Sequence, residues 1–284
     1  MRIAVMGAGG VGGYFGARLA QAGHGVAFIA RGKHLQAIRA KGLAIKSPLG
    51  DAMVKAAVAE DPEDLGAADV VLFAVKLWDT ESAAERIRPL VEMGGVVIPF
   101  QNGVESIARI GEPGVIVHTG PIARLRFGTT QPTQRKTAEA FLGACKDAKI
   151  DAELADDIER VLWEKFVLLV AISATTAVTR KTIGTVRTDP DLRWLLETVM
   201  RETWTVGRKR GVALGDDLVA KTLAQADSFT PDMRASMAAD LEAGGKLEAR
   251  WLSGAVARMA REDGIEAIAN RTIYAALKPY ENGR

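Results

Sequence analysis

The chain has 284 residues, 48% of them hydrophobic and 25% charged, a globular balance that suits one large or two medium cores and argues against disorder. A formal net charge of +2 gives no electrostatic case for nucleic acid or for an acidic membrane surface as partner. The one cysteine, Cys145, excludes an intrachain disulfide framework and fits a reducing compartment.

Residues 3–6 are a short apolar run, predicted as a buried parallel strand. The run is too short for a signal-peptide core, and no stretch approaches the roughly 18 apolar residues of a membrane span. These features predict a soluble, cytoplasmic protein without a membrane partner. Residues 14–21 read as a helix ended by Gly23, and 26–30 as a second strand, together a βαβ unit of about 30 residues. A helix at 33–40 and strand-like pieces at 43–45 and 52–58 follow. Strands at 69–75, 96–99 and 115–117 alternate with a helix at 80–91, and Cys145 falls in an amphipathic helical stretch. Such alternation predicts a mostly parallel sheet covered on both faces.

The pattern changes near residue 155. From there the apolar spacing is helical: 158–178, then about 190–210, 216–226, 231–243, 246–263 and 266–278, punctuated by Asp189-Pro190, Thr230-Pro231 and Gly244-Gly245. The expected architecture is α/β: an N-terminal Rossmann-type, doubly wound parallel sheet over 1–155, followed by an all-helical domain over 156–284. The cleft between two such domains is the natural substrate site. Long apolar helices in the second half also fit a homodimer.

Between the first strand and the first helix lies Gly7-Ala8-Gly9-Gly10-Val11-Gly12, a G-x-G-x-x-G match. Gly7 permits the tight turn, Gly9 lets backbone approach a pyrophosphate, and Gly12 lets helix and strand pack closely. The free N–H groups and partial positive charge of the helix start suit phosphate. After the second strand, an acidic residue would bind the ribose 2′-hydroxyl of NAD. The sequence here is Ala30-Arg31-Gly32-Lys33-His34, with no acid. Arg31, a forked cation assisted by Lys33, suits a 2′-phosphate, so NADP(H) is the expected cofactor.

With these motifs in place, the chain resembles the ketopantoate reductase family (2-dehydropantoate 2-reductases). The resemblance is carried over nearly the whole length by GAGGVGGYFGARLAQAGH, the ARG after the second strand, AVKLWDT, QNGVES, HTGPIARLRFG, LWEKF and ASM…LEARWLSG. It implies NADPH-dependent reduction of 2-dehydropantoate to pantoate in pantothenate biosynthesis, or of another small 2-oxo acid. It also implies roles. Lys165 of LWEKF matches the proposed general acid, and an ammonium there can stabilise the negative charge that hydride addition builds on a carbonyl oxygen. Lys76 and Asn102 follow strands at their carboxyl ends; Lys76 lies at the cofactor edge, and the Asn102 amide orients substrate or nicotinamide. Glu248, expected at the head of a helical stripe with Trp251, Leu252 and Ala255, matches an active-site glutamate. Ser236, expected in a helix interior, matches a serine that binds the substrate carboxylate.

Two departures stand out. Four and eight residues after the lysine, where well-studied members carry asparagines that bond substrate, this chain has Leu169 and Ser173. Both share a helix face with Lys165, but Leu169 offers no hydrogen bond, which also admits a reductase of a more apolar 2-oxo acid. The aspartate that often follows the glutamate by two residues is Arg250. In addition, the 15 residues between Asn102 and His118 are about half the family's usual span. Either one αβ unit is absent, or residues are missing from this stretch; the edge that a deleted strand would expose favours the second. His118 is expected at a strand end or turn, and His24 and His34 as structural or solvated. No metal-ligand spacing occurs. A non-catalytic NADP-binding sensor is the alternative of another class, and the retained Lys165 and Glu248 argue against it.

Overall fold

The structure, a computed structural model, describes residues 1–101 and 104–284, with 104–111 and 119–122 by backbone only. It divides into two compact units, Met1–Ile158 and Glu159–Arg284.

In the first unit, strands β1 (Arg2–Met6), β2 (Gly25–Ile29), β5 (Ala57–Ala59), β6 (Val70–Phe73) and β7 (Val96–Pro99) form a parallel sheet in the order β5-β2-β1-β6-β7. The chain winds outward from β1 through β2 to β5, then returns to β6 on the other side of β1. That reversal leaves a crevice at the carboxyl end of β1, where open α/β sheets take their ligands. Helices α1 (Gly10–Gln21), α2 (Gly32–Lys41) and α3 (Thr80–Glu92) connect these strands. Because side chains alternate along a strand, β1 feeds two cores. Ile3 and Val5 pack with Phe15 and Leu19 of α1, while Ala4 and Met6 pack with Ala83, Ile87 and Leu90 of α3. Burial on both faces explains why β1 reads as a continuous apolar run.

A second sheet runs β10-β9-β3-β4, from β3 (Leu43–Lys46), β4 (Ala52–Val54), β9 (Val115–Phe127) and β10 (Asp151–Leu154), with β8 (Val104–Glu112) antiparallel to β9. Ile45, Ile116 and Leu125 of this sheet join the α1 core. Helix α4 (Arg135–Asp147) precedes β10 and buries Cys145. The short segment after Asn102 is thus built as one arm of a hairpin that turns at Pro113-Gly114.

The second unit is helical: α5 (Ile158–Thr179), α6 (Ile183–Thr188), α7 (Pro190–Lys209), α8 (Leu218–Ser228), α9 (Ser236–Ala243), α10 (Ser253–Glu262) and α11 (Ile268–Leu277). Asp189 starts α7 as predicted from Asp189-Pro190: its side chain accepts from Asp191 N–H and Leu192 N–H, with Pro190 at the first helical position. Helix α5 is long and apolar enough to cross a membrane by length and composition alone. Its apolar residues have a partner, however: Val167, Val170, Ala174 and Ala177 are fully buried in one core with Met200, Val256 and Ile273.

Several expected boundaries move. The first helix begins at Gly10 rather than residue 14, because glycines enter the helix as soon as the turn at Gly7 is complete. The strand expected at 115–117 continues to Phe127, and α6 and β10 were not expected. The helices expected at 231–243 and 246–263 shorten to α9 and α10. Pro231 and Gly244-Gly245 break the chain, and turns occupy the residues before each helix.

Candidate active site

The glycine loop shows why each position needs its residue. Gly7 has φ of +98°, a left-handed conformation, and a Cβ there would lie 2.9 Å from the Ala74 carbonyl oxygen. A Cβ on Gly12 would lie 2.3 Å from the Gly7 carbonyl oxygen and 2.8 Å from the Ala74 Cβ, so only glycine lets α1 approach β1 and β6. Gly9, the residue that precedes α1, has open space where a Cβ would point. The first turn of α1 therefore presents unobstructed N–H groups to an anion.

Gly7, Ala8 and Gly9 line one side of a pocket of about 300 Å³ at the carboxyl edge of the parallel sheet. Arg31 and His34 form the β2 side, and Asp79, Ser82 and Arg86 the α3 side. Arg31 follows β2 and precedes α2, where its exposed side chain is free of the helix cap. Its guanidinium lies 3.8 Å from the Asp79 carboxylate. The acid missing from the end of β2 is thus supplied across the pocket, 48 residues on in sequence.

His34 is a fastener of the loop. Its Nε2 lies 2.8 Å from the Ala8 carbonyl oxygen, and its Nδ1 accepts from Gly114 N–H at 3.0 Å. A backbone N–H only donates and a carbonyl only accepts, so the ring is neutral with its proton on Nε2. It ties the glycine loop to the β8–β9 turn. Gln101, just after β7, does the same for the connection from β6 to α3: its side-chain amide donates to the Val75 carbonyl at 3.1 Å and to Thr80 Oγ1 at 2.7 Å. Lys76 in that connection is exposed, with its ammonium 5.5 Å from the centre of the Trp78 ring, and it is not among the residues lining the pocket. Asn102 lies outside the described residues.

His118 is neither at a strand end nor in a turn. It sits within β9, 1% exposed, with Nδ1 2.9 Å from Ser47 Oγ and its ring tilted against Tyr14 at 4.6 Å. Length explains the difference, because β9 runs ten residues past the expected end.

In the helical unit, Lys165, Leu169 and Ser173 occupy successive turns of one α5 face. Lys165 and Leu169 are half-buried and Ser173 is buried. Further along, Thr176 Oγ1 accepts from Ala235 N–H at 3.4 Å, which brings Ser236 to the same end of α5. Ser236 is the first residue of α9, not a helix-interior serine. Glu248 is not on a helix with Trp251 and Leu252 either. It lies in the turn before α10, half-buried between buried Leu247 and Ala249, and its carbonyl accepts from the Trp251 and Leu252 N–H groups. Among the described residues no group of three or more His, Cys, Asp or Glu side chains could hold a metal ion.

Residues 3–130 match the family model described as ketopantoate reductase PanE/ApbA, and residues 157–281 match its C-terminal counterpart. The chain belongs to the ketopantoate reductase family. It is an oxidoreductase of the type that acts on a CH–OH or C=O group. Among curated relatives it is 32% identical to the 2-dehydropantoate 2-reductase of Archaeoglobus fulgidus, over 99% of this chain and 98% of that one. It is 28% identical to the uncharacterized oxidoreductase YkpB of Bacillus subtilis, over 99% of both. Among solved structures, a PanE/ApbA family ketopantoate reductase from Ralstonia eutropha superposes with a TM-score of 0.87 at 31% identity, over 99% and 98% of the two chains.

Two described residues that shape the site, Asp79 and Gln101, were not expected from the sequence, whereas His34, expected as structural or solvated, is structural. For Gln101 the available signal is a polar residue at the carboxyl edge of the sheet, next to Asn102. For Asp79 the partner lies far away in sequence, so no local pattern marks it.

Proposed function

We propose that this chain reduces 2-dehydropantoate to pantoate with NADPH, a step of pantothenate biosynthesis. The observation that carries the proposal is the glycine-lined pocket with Arg31 at its rim, in a chain of the ketopantoate reductase family. The residues present fit a dinucleotide: the open space at Gly9 admits a pyrophosphate, the start of α1 supplies N–H donors, and Arg31 suits a 2′-phosphate. Gly7 to Gly12 would hold the pyrophosphate, with Ala8, Gly10 and Val11 contributing backbone. Lys76 and Asn102 would attend the nicotinamide side. When bound, the cofactor supplies the hydride.

The protein's own groups do the rest. Lys165 places an ammonium where negative charge develops on the substrate oxygen and delivers the proton that completes the alcohol. Ser236 and Ser173 offer hydroxyls to the polar ends of a 2-oxo acid, and Glu248 accepts from a substrate hydroxyl or the nicotinamide ribose. Ser173 is buried among apolar residues, which keep water from a bond made there and so strengthen it.

Leu169 favours a second reading, in which the substrate is a more apolar 2-oxo acid. Its half-buried isobutyl group lies between Lys165 and Ser173 on the α5 face. A screen of NADPH oxidation against ketopantoate and against branched and aromatic 2-oxo acids separates the two. The highest kcat/KM on ketopantoate supports the first reading. A tenfold or greater preference for an acid without the hydroxyl replaces it with the second, and no turnover on any 2-oxo acid removes both.

A further inference from the structure

The adenosine end of the pocket carries one more cation than the NADP(H) reading has used, and the inference drawn from it rests on that reading. Strands β2 and β5 run parallel with Ile29 opposite Ala59, and Ala30 N–H donates to the Ala59 carbonyl at 3.1 Å. Ala30 and Glu60 come next on the two strands, and Arg31 follows Ala30. The backbones of Ala30 and Glu60 are therefore neighbours, about one strand spacing (~5 Å) apart, which brings Arg31 next to Glu60 at the strand ends. From the facing helix, the guanidinium of Arg86 donates to the Glu60 carbonyl. Two guanidinium groups thus approach one edge of the pocket from opposite walls, one from the end of β2 and one from α3.

Their charges are balanced differently. Arg31 is exposed and faces the Asp79 carboxylate at 3.8 Å, within ion-pair range but too far for a hydrogen bond. Arg86 is half-buried, and among the described residues its only polar partner is the neutral Glu60 carbonyl. A carbonyl orients a guanidinium without neutralising it. Asp79 and Arg86 are seven residues apart, two turns along the face that also carries Ser82 and Ala83, and all four line the pocket.

We propose that Arg86 is a second ligand of the adenosine 2′-phosphate, and that Asp79 is a counter-ion that competes with this phosphate for Arg31. A phosphate monoester near neutral pH carries a charge of about −1.5 to −2, which suits two forked cations better than one. Arg86 is held in place by Glu60, so little ordering remains to be done when the phosphate arrives. The Asp79 carboxylate draws on Arg31 and repels the incoming phosphate, so it lowers the preference for the phosphorylated cofactor. A dinucleotide that lacks the phosphate meets neither effect.

The test is binding of NADPH and of NADH to the full chain, followed by cofactor fluorescence without a 2-oxo acid, for the wild type and for Arg86→Ala, Arg86→Gln and Asp79→Asn. Thermal melting checks that each variant is folded, and the near-isosteric glutamine variant stands in if alanine unfolds. Loss of Arg86 weakens NADPH binding tenfold or more and leaves NADH within twofold. Asp79→Asn tightens NADPH binding threefold or more, again with NADH within twofold. Equal losses for both cofactors on replacing Arg86, or a loss on Asp79→Asn confined to NADH, overturns the proposal. The second outcome would make Asp79 a ligand of the ribose hydroxyls. A wild type that binds neither cofactor, or prefers NADH, overturns the NADP(H) reading itself. Strong wild-type preference for NADPH with unchanged selectivity in all variants overturns only the roles given to Arg86 and Asp79.

Discussion

Placing an ammonium on a helix as apolar as α5 is costly when it is fully buried, and Lys165 is only half-buried, on the half of the helix where only Val167 among its near neighbours is buried. A half-buried position keeps the ammonium charged, as the proposed role of Lys165 requires. Lys165→Ala is expected to lower kcat on the preferred 2-oxo acid by about 10²–10⁴-fold and to leave NADPH affinity unchanged. Steady-state kinetics beside direct cofactor titration checks this, and intact turnover at saturating NADPH removes Lys165 from the chemistry. Cys145 shows the opposite use of burial. Desolvation on the inner face of α4 pushes its thiol up to about 12, so little of the reactive thiolate forms near neutral pH. A thiol-labelling disulfide reagent should leave it unmodified in the native protein and react once the protein is unfolded in denaturant. Rapid native labelling would contradict this burial.

At the scale of elements, β1 and β6 are joined by more than their ladder. Asp69, just before β6, accepts from Arg2 N–H at 2.8 Å and from the Arg2 guanidinium at 3.0 Å. The backbone bond from Arg2 is the largest cause; burial opposes it, and with the side-chain bond and charge of Arg2 added the Asp69 carboxyl is held below its ordinary range. A carboxyl depressed in the folded state adds stability above its unfolded pKa of about 3.9, and that stability is lost as pH falls through the lower folded value. Asp69→Asn should therefore reduce stability near neutral pH, and the difference from wild type should shrink as pH drops below about 4. Denaturant melts across pH 2–7 measure it; a pH-independent difference would assign the effect to hydrogen bonding alone. The glycine loop works at this scale too. Gly7 and Gly12 are mutually dependent, since the space at Gly12 is bounded by the Gly7 carbonyl. Together with His34 they set the backbone that a pyrophosphate would meet.

For the molecule as a whole, the two units carry separate cores, one built on the α1 face of the sheets and one around α5. The residues assigned to the pyrophosphate and the 2′-phosphate lie in the first unit, so cofactor should stabilise that unit most directly. At a hundred times the dissociation constant the linkage is about 2.7 kcal/mol, which for a unit of this size is a rise of several degrees in melting temperature. Calorimetry with and without NADPH should show that rise, with NADH at the same concentration giving less. Equal shifts from the two cofactors would count against a 2′-phosphate site.

The sequence by itself determined the features that depend on neighbours in the chain. The strand–glycine–helix start was legible because Gly7, Gly9 and Gly12 are spaced as one turn requires. The parallel sheet was legible because strands buried on both faces need unbroken apolar runs, and the second unit because its apolar period changes to helical. The α5 face of Lys165, Leu169 and Ser173 follows from the same periodicity. Tertiary structure decided what brings distant residues together: Asp79 opposite Arg31, Arg86 at Glu60, and His34 between Ala8 and Gly114. It also decided local geometry where turns compete with helix, as at Ser236 and Glu248. Periodicity specifies which face of an element is buried, but a contact across a pocket depends on where two elements end, and only the folded chain sets that.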